Sequence, residues 1–197
     1  MIAHEIAHSW TGNLVTNANM EHFWLNEGFT TFLQRKIEGR LHGELTRHLK
    51  HLIGWRSLEE KINVDLGPHN PLTSLVVNLT DVNPDDAFSR VPYEKGATFL
   101  WMLEELVGGP DMFEPFLKSY IQEFSYKSIK SDDFKSYFLE YFSGVDAVQV
   151  WLYILTNECG KSGKIKILYF AYILGGFLKI LSLGGIILYF LPPLVPT

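Results

Sequence analysis

One compositional boundary divides this chain. Every aspartate, glutamate and histidine lies at or before Glu158. Residues 1–159 carry 13 basic and 22 acidic residues, whereas 160–197 carry four lysines and no acid. A single core does not segregate its charges in this way, so two parts are expected: 1–155, a folded domain, and 156–197, a divergent hydrophobic tail. Over the whole chain 47% of residues are hydrophobic and 20% charged, which excludes a disordered protein. The net charge of −5 argues against nucleic acid as a partner. One cysteine, Cys159, forms no internal disulfide, and a reducing, cytoplasmic setting is the simplest expectation. His4, Glu5 and His8 interrupt the start too early for a signal peptide. Asn78-Leu79-Thr80 fits a glycosylation pattern and reads as chance without an export signal.

The first part reads as mainly α. Ile2 and Ile6 set a helical spacing that predicts a helix over about 1–15, weakened at Gly12-Asn13. A second is predicted over about 22–38, with Gly39 as its stop. A third is predicted over about 43–62, with Leu45, Leu49, Leu52 and Trp55 on one stripe. Residues 63–91 are punctuated by Gly67-Pro68, Asn70-Pro71 and Asn83-Pro84, which predicts a long ordered loop or a set of short turns. Helices over about 93–107, 110–124 and 131–142 follow; Gly108-Gly109 stops the first, and Ser131-Asp132-Asp133 starts the last. Little strand and no internal repeat are expected.

The tail supports three readings. Residues 167–191 hold one charge, Lys179, and as a helix would span roughly 37 Å, enough for a bilayer. A central lysine costs about 2.5–3.5 kcal/mol there, and Gly-Gly pairs at 175–176 and 184–185 weaken the helix. A membrane segment, a buried strand pair and an unselected translated sequence all stay open.

The chemistry concentrates near the start. His4-Glu5-Ile6-Ala7-His8 is an H-E-x-x-H pattern. On a helix, residues four apart share a face, so both imidazoles reach one metal, while Glu5 reaches a water beside it. Catalytic zinc commonly takes a third protein ligand. Glu27, in "HFWLNEGFTTF", follows His8 by 19 residues on the second predicted helix, and a short turn would bring it to the same point. A lone glutamate is usually a solvated one. Set between Trp24 and Phe29 it would face inward, where a carboxylate needs a metal or a cation.

These residues resemble the M1-type gluzincin aminopeptidases. H-E-x-x-H is followed at the family's spacing by Trp-Leu-Asn-Glu-Gly, and later by Val-Pro-Tyr-Glu-Lys-Gly at 91–96. "HSWTGNLVTN", "NLTDVNPDDAFSRVPYEKG" and "FSYKSI" are similar to the branch holding the leukotriene A4 hydrolases and aminopeptidase B. The resemblance covers about residues 2–142. It implies the helical half of a thermolysin-like (gluzincin) catalytic domain. It implies one Zn2+ held by His4, His8 and Glu27, with Glu5 as general base and Tyr93 as hydrogen-bond donor to the oxyanion. It implies peptide substrates cut at their N-terminal residue. Asp85 matches the aspartate tied to epoxide hydrolysis in the leukotriene enzymes, whose substrate is a fatty-acid epoxide; a turn role after Asn83-Pro84 is equally compatible. Trp24 and Asn26 would support the site from behind.

The departures set the alternative. A β-rich N-terminal domain and a Gly-x-Met-Glu-Asn motif precede this region in the family, and a helical domain follows it. Neither is found in this sequence. Met20 and Phe88 stand where the family often has tryptophan and tyrosine. A fragment or isoform without activity, membrane-associated through 167–191, is therefore the second expectation beside the enzyme.

Overall fold

The structure, a computed structural model, describes residues 1–148. Its elements are α1 (Ile2–Ala7), β1 (Val15–Asn17), α2 (Trp24–His42), α3 (Glu44–Glu60), α4 (Arg90–Leu106), α5 (Pro110–Phe124), β2 (Lys127–Ile129) and α6 (Ser131–Tyr141). The mainly helical expectation holds for these residues. None of their helices is long and apolar enough to cross a membrane. The 167–191 segment lies outside the described residues.

Three of the predicted helices differ. The first ends at Ala7, because Gly12 turns the chain at φ +131° and Val15–Asn17 become a strand parallel to Lys127–Ile129. A Cβ at Gly12 would also meet Asn26 Oδ1 at 2.7 Å and His8 Nδ1 at 3.0 Å. The second helix does not stop at Gly39. It runs to His42 and is closed by Gly43 at φ +92°. Gly39 is buried instead where Arg47 crosses, 3.0 Å from the place a Cβ would occupy. The third carries its leucines outward. Leu45, Leu49 and Leu52 are 86%, 56% and 43% exposed, while Arg47, His51, Gly54 and Leu58 face inward. The inward face is polar because it meets charges on α2 and α4. Arg47 reaches Glu104, and His51 accepts from Arg35 at 3.2 Å.

The segment 63–91 forms short turns, with helical turns at Pro71–Thr73 and Pro84–Ala87. Asn70 and Asn83 cap them by accepting from the amides of Leu72 and Asp85. Ser89 Oγ caps α4 by accepting from Val91, which starts that helix three residues before the predicted point. Ser131 is no cap. It lies inside α6, where its Oγ accepts from Trp24 Nε1 at 2.8 Å.

The core is aromatic and centred on α2. Phe29 stacks on Tyr120 at 4.9 Å, and Trp24 meets Phe134 edge-on at 5.5 Å. Such pairs add about 0.5–1.5 kcal/mol each beyond area burial. Helices α2 and α4 touch backbone to backbone at Gly28 and Gly96. A Cβ on either would stand 2.8 Å from the other's Cα. This crossing brings the first turns of both helices, with Glu27 and Tyr93, to one end of the bundle.

His51 links this packing to pH. It is 2% exposed, and its ring lies 4.1 Å from that of Trp101. Burial, then the Arg35 charge, pushes its pKa from 6.5 down to about 2. The native chain therefore keeps it neutral where the unfolded chain takes a proton. Its stabilising contribution is complete above pH 6.5 and is lost as pH falls from 6.5 towards 2, by up to about 1.4 kcal/mol per pH unit. Urea unfolding between pH 7 and 5 should show a steeper loss in the parent than in His51→Gln. Parallel slopes would refute this.

Candidate metal centre

Two helix ends converge here. His4 sits within α1 and His8 closes that helix, still at helical angles. Glu27 lies in the first turn of α2 and is 8% exposed. His4 Nε2 and His8 Nε2 are 3.2 Å apart. Each faces Glu27 Oε2, at 3.2 Å and 3.4 Å. A tetrahedral ion with bonds of about 2.0–2.1 Å holds its ligands about 3.3 Å apart. The triangle already has that size.

The outer nitrogens decide what the inner ones do. His8 Nδ1 donates to the Thr11 carbonyl at 3.0 Å and lies 3.1 Å from Thr30 Oγ1. His4 Nδ1 donates to Gln34 Oε1 at 3.1 Å. With both protons on the outer side, two Nε2 lone pairs and a carboxylate oxygen face one point. Neutral imidazoles do not choose that arrangement without a cation between them. The hydrogen bond that Glu27 accepts from His4 holds the His4 pKa above its ordinary value, against the effect of burial. Two imidazole nitrogens and one carboxylate oxygen suit zinc, so the residues present fit the ion.

The remaining predicted residues fall in different places. Glu5 is exposed on α1, one residue beyond His4, and its carboxylate bonds to no described residue. The Tyr93 ring stacks on His4 at 6.2 Å and 19° and meets Phe23 and Phe88 edge-on. Burial, then the charge of Glu27, pushes the Tyr93 pKa up to about 12, so its hydroxyl keeps its proton. Trp24 is buried against Phe134 and tied to Ser131. Asn26 Oδ1 is buried beside Gly12 and has no hydrogen-bond partner among the described residues. Asp85 is exposed on the Pro84–Ala87 turn and does not line the cleft that opens beside His4.

That cleft has a volume of about 630 Å³, and His4, Gln34, Phe88, Arg90, Tyr93 and Glu94 are among its walls. Sequence reasoning missed Thr11, Thr30 and Gln34, which orient the two imidazoles. A helical signal was present for two of them: Thr30 and Gln34 follow Glu27 by three and seven residues, on its face of α2.

The peptidase family M1 domain matches residues 1–152. Leukotriene A-4 hydrolase of Xenopus laevis is 56% identical over 142 residues, 72% of this chain and 23% of that protein. Leucine aminopeptidase 2 of Vanderwaltozyma polyspora is 49% identical over 160 residues, covering 78% of this chain and 24% of that one. The solved leukotriene A4 hydrolase of Saccharomyces cerevisiae superposes with a TM-score of 0.73 at 46% identity, over 76% of this chain and 24% of the other. This chain belongs to peptidase family M1. It spans about a quarter of the length of the relatives it matches.

Proposed function

We propose that this chain carries the catalytic centre of a zinc aminopeptidase. The observation that carries the reading is the triangle of His4 Nε2, His8 Nε2 and Glu27 Oε2, with sides of 3.2–3.4 Å and both outer ring nitrogens already engaged. When bound, zinc supplies a Lewis acid that polarises the peptide carbonyl and acidifies water. Glu5, one residue from His4 and without a hydrogen bond to any described residue, takes a proton from the attacking water and passes it to the departing amine. Tyr93, protonated across the neutral range, donates a hydrogen bond to the carbonyl oxygen as that oxygen gains charge. Phe23 and Phe88 fix the plane of its ring. Peptide substrates, and the cut at their first residue, are carried over from the aminopeptidases among the relatives.

The likeness to a leukotriene A-4 hydrolase supports a second reading, in which the chain also opens a fatty-acid epoxide and Asp85 takes part. The exposed position of Asp85 gives that role less support than the peptide role has.

The test is zinc per folded chain after dialysis, for the parent and for Glu27→Ala. One zinc in the parent and none in the variant is expected, because losing a ligand costs more than the roughly 10–100-fold attached to an outer partner. The zinc-loaded parent should then release the amino acid from an aminoacyl amide. No zinc in the parent would favour the non-catalytic reading.

A further inference from the structure

Glu94 follows Tyr93 on α4, and Arg35 lies two turns beyond Glu27 on α2. Arg35 Nη2 donates to Glu94 Oε2 at 2.6 Å, and the two side chains are 7% and 12% exposed. Arg35 Nη1 donates to His51 Nδ1 on α3 at 3.2 Å. A third helix leaves room for the pair. Any side chain on Gly54 of α3 would overlap both Glu94 Oε2 and Arg35 Nη2. A buried pair of this kind is seldom a net gain over apolar packing, so stability alone does not account for it. Its distinguishing feature is its address. It joins the helix that carries Tyr93 to the helix that carries Glu27, at the residue next to Tyr93. The backbone contact at Gly28 and Gly96 fixes how closely those helices approach, but a contact between two glycines has no side chains to stop one helix sliding along the other or turning about its axis. The directed bond from guanidinium to carboxylate supplies that restraint.

We infer that Arg35 and Glu94, in the space kept by Gly54, are positioning residues that hold the Tyr93 ring in register with the three metal donors. The inference rests on the proposed role of Tyr93, but its structural half can be tested without metal or turnover.

The experiment places 3-fluorotyrosine at position 93 of the full chain, and in a separate sample at position 120, and records fluorine spectra without zinc. Tyr120 is fully buried against Phe29 and serves as the report on the core. Glu94→Gln, which removes the charge, and Gly54→Ala, which displaces the pair while keeping both charges, should each shift or split the signal from position 93. The signal from position 120 should stay in place. An unchanged signal at 93 in both variants overturns the inference, and so does a change at 93 and 120 together, which would mark the pair as general packing. On zinc-loaded chains the same variants should lower kcat about 10–100-fold with KM unchanged. A parent without turnover would refute the catalytic reading of Tyr93, while the fluorine spectra would still decide the role of the pair.

Discussion

Glu5→Gln is expected to abolish hydrolysis of an aminoacyl amide while leaving one zinc per chain. The substitution keeps size and shape and removes only the ability to take a proton. Glu5 is exposed on α1, and its carboxylate bonds to no described residue, so little structure depends on its charge. It is also not one of the three converging donors. A general base contributes typically 10²–10⁴-fold, and the loss should fall on kcat rather than KM, because the group acts in the transition state. Two outcomes would sink the assignment. If the variant kept more than about a tenth of the parent's rate, Glu5 would not be the base. If zinc were lost as well, Glu5 would belong to the ligand set and the triangle would need a different reading.

The second large effect is on stability. Glu104 is fully buried between two cations: Lys36 Nζ lies 2.5 Å from Oε2, and Arg47 Nη2 bonds Oε1. Lys36 also reaches Glu114 Oε1 at 3.0 Å. Both cations lie over the Phe32 ring, at 5.5 Å and 5.7 Å. Glu104→Gln leaves that charge without its central counter-ion. Removing one partner of a buried pair costs about 3–5 kcal/mol, which for a unit of this size lowers the melting temperature by about 10 °C or more. Thermal unfolding followed by circular dichroism would measure it. Adding Arg47→Met removes one stranded cation, so the double variant should regain part of the loss, with a coupling of about 0.5–3 kcal/mol. A single variant that melts within about 2 °C of the parent would show that the pair is solvated and does not bear on the core.

The same network explains where sequence reasoning succeeded and where it failed. The donors were legible because their geometry is local. His4 and His8 share a helical face by spacing alone, and Glu27 lies in a segment whose flanking aromatics announce burial. The turns at 70–73 and 83–87 were legible for the same reason, since each asparagine bonds an amide two residues on. The orientation of α3 was not. Its leucines satisfy a helical stripe, yet the helix turns Arg47 and His51 inward, because what faces them is Glu104 on α4 and Arg35 on α2. Periodicity ranks positions by hydropathy and cannot see the charge of a neighbour 57 residues away. Gly39 misled for a related reason. A glycine can end a helix or let another helix come close, and only the partner tells which. Gly28 and Gly96 are the strongest case: both close a quoted motif, yet nothing local announces that they set the approach of α2 to α4.

The strand pair has a bearing on how the centre is assembled in time. The three donors and Tyr93 all lie within residues 4–93, but β1, in the link between His8 and Glu27, pairs along its length with Lys127–Ile129. Trp24 is tied in the same way to Ser131, 107 positions away. Closing so long a loop is a late event in folding, because its chain entropy must be spent before the contact returns anything. The helical turns that bear the ligands form early and locally, while the anchor between them arrives last. Metal capture should therefore lag behind helix formation in a refolding experiment, keeping pace with the docking of the chain near residue 130.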